Sequence, residues 1–353
     1  MVSVYPETVI ILRLSLDKYL GSSFDHLSNF IEKSNCPKGL NVYMGCFVKQ
    51  TEMYYADPVY RPPSEYASLL IQATVGCSAA AAGRCHFCNS NIFNQTIPQK
   101  KFRIRPTDEI LDDIDKGRKQ YGAKVKKIFL LDSNAMIIKS SELLKIVHKC
   151  YKVFPQLKQV ACYACSGDIL RKDFQELTAL RKAGLNLVFV GLESGDQQVL
   201  ELVNKGTTIE DQINAVVKAN NTGMRTSVSV ILGLGGKKLS KQHAINTGKV
   251  VTAMNPSYLA TLTLMVVPGT ELDKMVRERR FERVTDPLDF LKELHLMVMH
   301  IEASGPVVFR VNHASNYLSL RGSLPDNKEQ MLGAIRNAML DPTMLRSESS
   351  RGL

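Results

Sequence analysis

The chain has 353 residues, 44% of them apolar, and a single α/β barrel commonly takes about two hundred residues or more, so one large domain with appendages is expected. No window approaches the roughly eighteen uncharged apolar residues of a membrane span, and the opening stretch from Val9 to Leu16 is interrupted by Arg13, which predicts a soluble, cytoplasmic protein with no membrane partner. Lys plus Arg number 45 against 34 Asp plus Glu, a surplus of 11 that would suit a phosphate-rich partner. The basic residues are scattered in short groups (Lys100 to Arg105, Lys124 to Lys127, Arg277 to Arg280) with no basic arm, so a solvated basic surface is the better reading than a nucleic-acid groove.

Residues 1–67 carry a helical pattern from Phe24 to Glu32 and the turn-rich Asp57-Pro-Val-Tyr-Arg-Pro-Pro63, and read as an N-terminal cap. Six mostly apolar, β-rich runs follow: Ser68 to Gly76, Lys127 to Asp132, Gln159 to Ser166, Asn186 to Glu193, Thr226 to Leu234 and Tyr258 to Val267. Strands buried on both faces read this way. Between them lie helices with recognisable punctuation: one opening at Thr107, one from Asp173 to Ala183-Gly184, one from Thr208 to Thr222-Gly223. Alternation of this kind predicts an α/β fold, a partial (βα)6 barrel of parallel strands over residues 68–303, open on one side. A short C-terminal extension, 304–340, holds the β-like run Val307 to Val311 and an amphipathic helix from Lys328 to Leu340. The polar tail 341–353 is expected to be disordered.

Eight cysteines stand at positions 36, 46, 77, 85, 88, 150, 162 and 165. In a reducing compartment, thiols serve as metal ligands, catalysts or packing groups more often than as disulfides. Three of them, Cys77, Cys85 and Cys88, fall in Gly76-Cys-Ser-Ala-Ala-Ala-Ala-Gly-Arg-Cys-His-Phe-Cys88, at the C-terminal end of the first strand, where barrels place their chemistry. Three thiolates on one loop can ligate three irons of a cubane and leave the fourth iron open. The alternative is a zinc knuckle completed by His86 or another cysteine, although His86 sits between the two members of the Cys-x-x-Cys pair. Cys162 and Cys165, three apart on the third strand, point to opposite faces and read as packing residues.

The Cys-His-Phe-Cys88 loop resembles the signature of the radical S-adenosylmethionine (SAM) superfamily, with Phe87 as the aromatic residue before the last cysteine. Seven residues separate Cys77 from Cys85 where three are usual in the family, an extension that costs little as a bulge. The resemblance implies a TIM-like barrel that binds one [4Fe-4S] cluster on Cys77, Cys85 and Cys88. SAM would sit on the open iron and be split by one electron into methionine and a 5'-deoxyadenosyl radical. It further implies SAM contacts at Phe87, at Asp132 and Asn134 ending the second strand, at Glu193 ending the fourth, and at Ile231 and Gly233 in the fifth. Read without the family, Asp132-Ser-Asn134 is turn chemistry, Glu193-Ser-Gly195 a helix cap, and the glycines after Ile231 a turn.

Arg310, Asn312, His313 and Asn316 concentrate donors and acceptors beyond the last strand and are candidates for substrate contact, with a hydrogen-bonded turn as the alternative. Together with Met265 to Thr270, this segment resembles the branch of the superfamily related to the elongator, methylthiotransferase and oxygen-independent coproporphyrinogen groups. The substrate, a small molecule or RNA, stays open. The family implies an electron donor such as ferredoxin or flavodoxin. A zinc-stabilised, non-catalytic binding protein is the rival from another class.

Overall fold

The computed structural model describes residues 53–351. The pattern from Phe24 to Glu32, most of the N-terminal cap, and Cys36 and Cys46 lie outside the described residues. Ten strands follow in chain order: β1 (Leu69–Gln72), β2 (Thr74–Val75), β3 (Arg103–Ile104), β4 (Lys127–Leu131), β5 (Gln159–Ala164), β6 (Leu185–Glu193), β7 (Arg225–Leu232), β8 (Tyr258–Thr263), β9 (Val307–Arg310) and β10 (Arg321–Leu324). Eight form one sheet in the order β1-β4-β5-β6-β7-β8-β9-β10, while β2 and β3 make a separate antiparallel pair.

From β1 to β9 every pairing in that sheet is parallel, and β10 closes the series antiparallel to β9. All six strands expected from the sequence are present, the first broken after Gln72 and the sixth ending at Thr263 rather than Val267, with the other four within two residues of expectation. The extension does more than append itself to six βα units: it adds a seventh parallel strand and an eighth antiparallel one to the same sheet. Only four residues each, β9 and β10 are too short to carry a periodic signal of their own.

Parallel strands need both faces covered, and alternation along each strand supplies two apolar layers. Ile128 and Leu130, Val160 and Cys162, and Val188 and Val190 face the helices. Phe129, Leu131, Ala161, Tyr163 and Leu187 face inward, joined by the partly buried Phe189. Phe129 meets Tyr163 edge-on at 5.1 Å and Phe189 at 5.8 Å. Such a filled interior fixes the strands rigidly, so loops at their C-terminal ends start from defined positions.

The helices obey their sequence punctuation. Asp173 caps Phe174–Ala183 in a reciprocal capping box with Glu176, and Gly184 ends it in the left-handed region. Thr208 caps Ile209–Asn221 by accepting from the Asp211 amide. The tail corrects an expectation. Residues 341–351 pack on the segment after β9: the Arg351 guanidinium lies 3.9 Å over the Tyr317 ring and donates to the Ser315 carbonyl at 2.7 Å, and Tyr317 donates to Glu348 at 2.6 Å. Composition reports the tail as polar but does not show that its charges have partners 31 residues or more upstream.

Gly195, just past β6, shows how tightly this edge is packed. A Cβ there would stand 2.4 Å from Thr247 Cα and 2.6 Å from the Asn246 carbonyl of the helix Gly236–Met254. Gly195→Ala is therefore expected to lower the unfolding free energy by about 1–3 kcal/mol. Chemical denaturation checks this; an unchanged midpoint would mean that the helix yields freely.

Candidate functional site

Cys77 follows β2 and opens a single helical turn, Ser78–Ala81. The seven-residue spacing is thereby absorbed: the alanine run winds into one turn, and Gly83 at φ 68° reverses the chain toward Cys85. Cys85 itself adopts φ 59°. Backbone bonds tie this loop to the turn after the helix Gln197–Leu202, since the Cys85 amide donates to the Asn204 carbonyl at 2.8 Å and the His86 amide to the Val203 carbonyl at 2.9 Å. Two asparagines staple it further. Asn91 Nδ2 reaches the carbonyls of Arg84 and Cys85, both at 2.8 Å, and Asn204 Nδ2 reaches that of Gly83 at 3.0 Å.

All three cysteines are buried, and none of the six described cysteines forms a disulfide. Burial pushes the Cys77 thiol up and the Cys85 thiol up to about 12, with the neighbouring Lys205 ammonium opposing at Cys85. Cys85 and Cys88 both act electrostatically on Cys77, so the three share one locality. Among the described residues no three His, Cys, Asp or Glu side chains gather closely enough to hold a single metal ion. A four-iron cubane is a wider object, ligated at separate corners, and three buried thiols on one stapled loop are the donor set it takes.

Glu193 ends β6 at φ 63° and is paired with Lys205 Nζ at 3.0 Å. Gly191 leaves room for this carboxylate in its observed place, since a Cβ there would stand 2.0 Å from Glu193 Oε1 and displace it. Burial works against the lysine charge, but Glu193, Cys85 and Cys165 outweigh it and hold the Lys205 pKa above its ordinary value. Lys205 was not anticipated from the sequence. Its only signal is a cation in the Asn204-Lys-Gly206 turn, twelve residues past the strand end.

Asp132 and Asn134 take roles different from those expected. Asp132 is buried in an ion pair with Lys100 Nζ at 2.5 Å and accepts from the Gly76 amide at 3.3 Å, so it pins the residue before Cys77. Burial raises its pKa, against the Lys100 charge. Asn134 donates to Ser78 Oγ at 2.9 Å and Asp168 Oδ2 at 2.5 Å and accepts from the Cys165 amide at 3.1 Å. Both act as struts beneath the cysteine loop.

Phe87 and Ile231, by contrast, come together. With Cys88, Leu264, Met265 and His313 they line a small cavity whose walls carry no charged Lys, Arg, Asp or Glu. Gly233, at φ 81°, gives its amide to Glu293 Oε1 at 2.5 Å. Glu293 and His243 form a second buried group: His243 Nδ1 meets Ser194 Oγ at 2.7 Å and its Nε2 the Ile231 carbonyl at 3.2 Å, joining the ends of β6 and β7.

Of the four polar residues expected to touch substrate, only His313 reaches the cavity. Its Nδ1 accepts from the Ser315 amide at 3.1 Å, so the neutral ring carries its proton on Nε2. Burial, aided by Arg346, lowers its pKa to about 4. Asn316 is a buried staple that donates to the Thr261 and Val311 carbonyls at 2.7 and 2.9 Å. Arg310 lies 5.0 Å over the Tyr258 ring, and Asn312 is exposed.

Residues 71–247 match the family model described as the radical SAM superfamily. Among curated proteins, the chain is 22% identical over 225 residues to the heme chaperone HemW of Bacillus subtilis, covering 63% of this chain and 57% of that protein. It is 31% identical over 152 residues to the anaerobic magnesium-protoporphyrin IX monomethyl ester cyclase of Rubrivivax gelatinosus, covering 42% and 25%. The chain thus spans about half the length of the first of these relatives, 57%, and a quarter of the other, 25%. Among solved structures, methylornithine synthase (PylB) aligns with TM-score 0.47 and 16% identity over 67% of this chain and 63% of that one. The coproporphyrinogen III oxidase HemN of Escherichia coli gives 0.47 and 16% over 66% and 52%. The family match takes in all three cysteines of the loop, Glu193, Lys205 and the end of β7, and the chain belongs to the radical SAM superfamily, whose enzymes use a [4Fe-4S] cluster and SAM.

Proposed function

We propose that this chain holds a [4Fe-4S] cluster on Cys77, Cys85 and Cys88, cleaves SAM reductively there, and directs the resulting 5'-deoxyadenosyl radical at a substrate in the barrel mouth. The observation that carries this reading is the convergence of three buried thiols, on a loop stapled at one edge of the sheet, with a half-buried cation and an apolar cavity. When bound and reduced, the cluster supplies the electron that breaks the sulfonium bond of SAM. The protein's own residues bind and orient. Phe87 and Ile231 offer an apolar slot for a flat adenine. Glu193 supplies acceptor oxygens for ribose hydroxyls, and Lys205 is the cation for the methionine carboxylate.

His313, fixed as an Nε2–H donor, would give one directional hydrogen bond within the cavity. Uncharged cavity walls favour a small, largely apolar substrate over RNA, whose phosphates need cations. Among the described residues no helix is long and apolar enough to cross a membrane. A cytoplasmic site of action and a reductant such as ferredoxin or flavodoxin accord with the family's chemistry.

Anaerobic reconstitution with iron and sulfide, followed by dithionite and SAM, should give about four iron per chain and 5'-deoxyadenosine, both lost in Cys85→Ala. One zinc per chain with SAM left intact would overturn the enzyme reading. Lys205→Ala should raise the KM for SAM and, by stranding a buried carboxylate, lower the unfolding free energy by about 3 kcal/mol. Deoxyadenosine kinetics and denaturation measure the two effects, and an unaltered KM would remove Lys205 from the SAM site.

A further inference from the structure

The pairing of β6 with β7 shifts register after Gly191 and runs only as far as Glu193 opposite Val230. Just past that pair the backbone ladder no longer sets the distance between the two strand ends, which carry Glu193 for ribose and Ile231 for adenine. Side chains from two helices, Gly236–Met254 and Pro287–Met299, take over. Ser194 Oγ meets His243 Nδ1 at 2.7 Å, and His243 Nε2 meets the Ile231 carbonyl at 3.2 Å and Glu293 Oε1 at 3.4 Å. Glu293 Oε1 in turn accepts from the Gly233 amide at 2.5 Å, and its other oxygen accepts from Ser240 Oγ.

Both neighbours of His243 Nε2 are acceptors, so that nitrogen carries a hydrogen. Ser194 Oγ accepts from the Asp196 amide at 3.0 Å and gives its own proton to Nδ1. An unbroken chain thus runs from the residue after Glu193 to Ile231 and Gly233. Ser194, His243 and Glu293 are each no more than 3% exposed, so the chain acts through the backbone it holds. The same helix also fixes the next two residues, with Thr247 Oγ1 accepting from the Gly195 amide at 2.8 Å and Asn246 Nδ2 donating to Asp196 Oδ2 at 2.6 Å. Docking these helices needs no such network, since Val251, Leu294 and Val298 already bury them in the apolar layer. A buried histidine and carboxylate add little stability over apolar packing, but a fully paired network specifies one arrangement.

We propose that His243 is a positioning residue for the nucleoside half of SAM. Its ring, braced by Glu293, sets the gap between the Glu193 carboxylate and the backbone from Ile231 to Gly233, and with it the joint fit of ribose and adenine. This rests on the assignment of SAM to those strand ends.

The test uses the full chain, reconstituted anaerobically, with deoxyadenosine kinetics and with 5'-methylthioadenosine as a competitor that has the nucleoside but neither the amino nor the carboxylate group. His243→Gln can keep a donor for the Ile231 carbonyl but loses the bond to Ser194. It should raise the KM for SAM about fivefold or more and weaken inhibition by methylthioadenosine by the same factor, while kcat at saturating SAM stays within about twofold of wild type. Ser194→Ala removes only the hydroxyl, guards against a folding defect in the first variant, and should act in the same direction. An unaltered KM in both variants would overturn the positioning role, as would a higher KM with undiminished inhibition. Iron content and kcat falling along with SAM affinity in both variants would show a merely structural role and would also overturn it. A wild type that cleaves no SAM would instead remove the assignment on which the proposal stands.

Discussion

A lysine ammonium in a half-closed cleft is stable only if anions surround it, and the pairing of Lys205 with Glu193 is the constraint around which this site is organised. Glu193 reaches the lysine because β6 ends at a positive φ beside Gly191, where a Cβ would displace the carboxylate from its observed place. Lys205 reaches back because the turn at 203–206 is bonded through its carbonyls to the Cys85 loop. One ion pair thus couples the end of the fourth parallel strand to the cysteine loop, and it places a fixed positive charge among groups that become anionic when they bind metal.

The second organising feature is a shell of polar struts that present nothing outward. Lys100–Asp132 holds Gly76, Asn134 holds Ser78 and Cys165, and Glu293 holds Gly233. Asp132 and Asn134 lie just beyond β4 and fix residues on either side of Cys77, while Glu293 reaches the end of β7 from the helix Pro287–Met299. Buried polar groups are costly unless fully paired, so this shell rigidifies the edge of the sheet where a reactive species must be confined. The inner aromatic cluster of Phe129, Tyr163 and Phe189 supports that edge from within the sheet.

Much of this was legible in the sequence. Strand positions, helix caps at Asp173 and Thr208, and the cysteine loop follow from local periodicity and local chemistry, which need only neighbours along the chain. Phe87 and Ile231 were assigned through a family resemblance, and the structure brings them to one cavity. Less was legible where a polar residue has a choice of distant partners. Asp132, Asn134 and Asn316 look like candidates for ligand contact, yet their hydrogen bonds go to residues tens of positions away. The same limit hid the ordered tail, whose Arg351 finds Ser315 and Tyr317.

By itself, then, the sequence determined the alternation of parallel strands and helices and the loop of three thiols, because both are written in spacing and in hydrophobic period. Tertiary structure alone decided which polar side chains are struts and which face the cavity. It also separated two cysteines three residues apart, burying Cys162 in the core and leaving Cys165 at the start of the helix Ser166–Arg171 with its amide bonded to Asn134. The physical reason is that apolar burial repeats with the geometry of the backbone, whereas a hydrogen bond or ion pair depends on one partner whose approach is set by the whole fold.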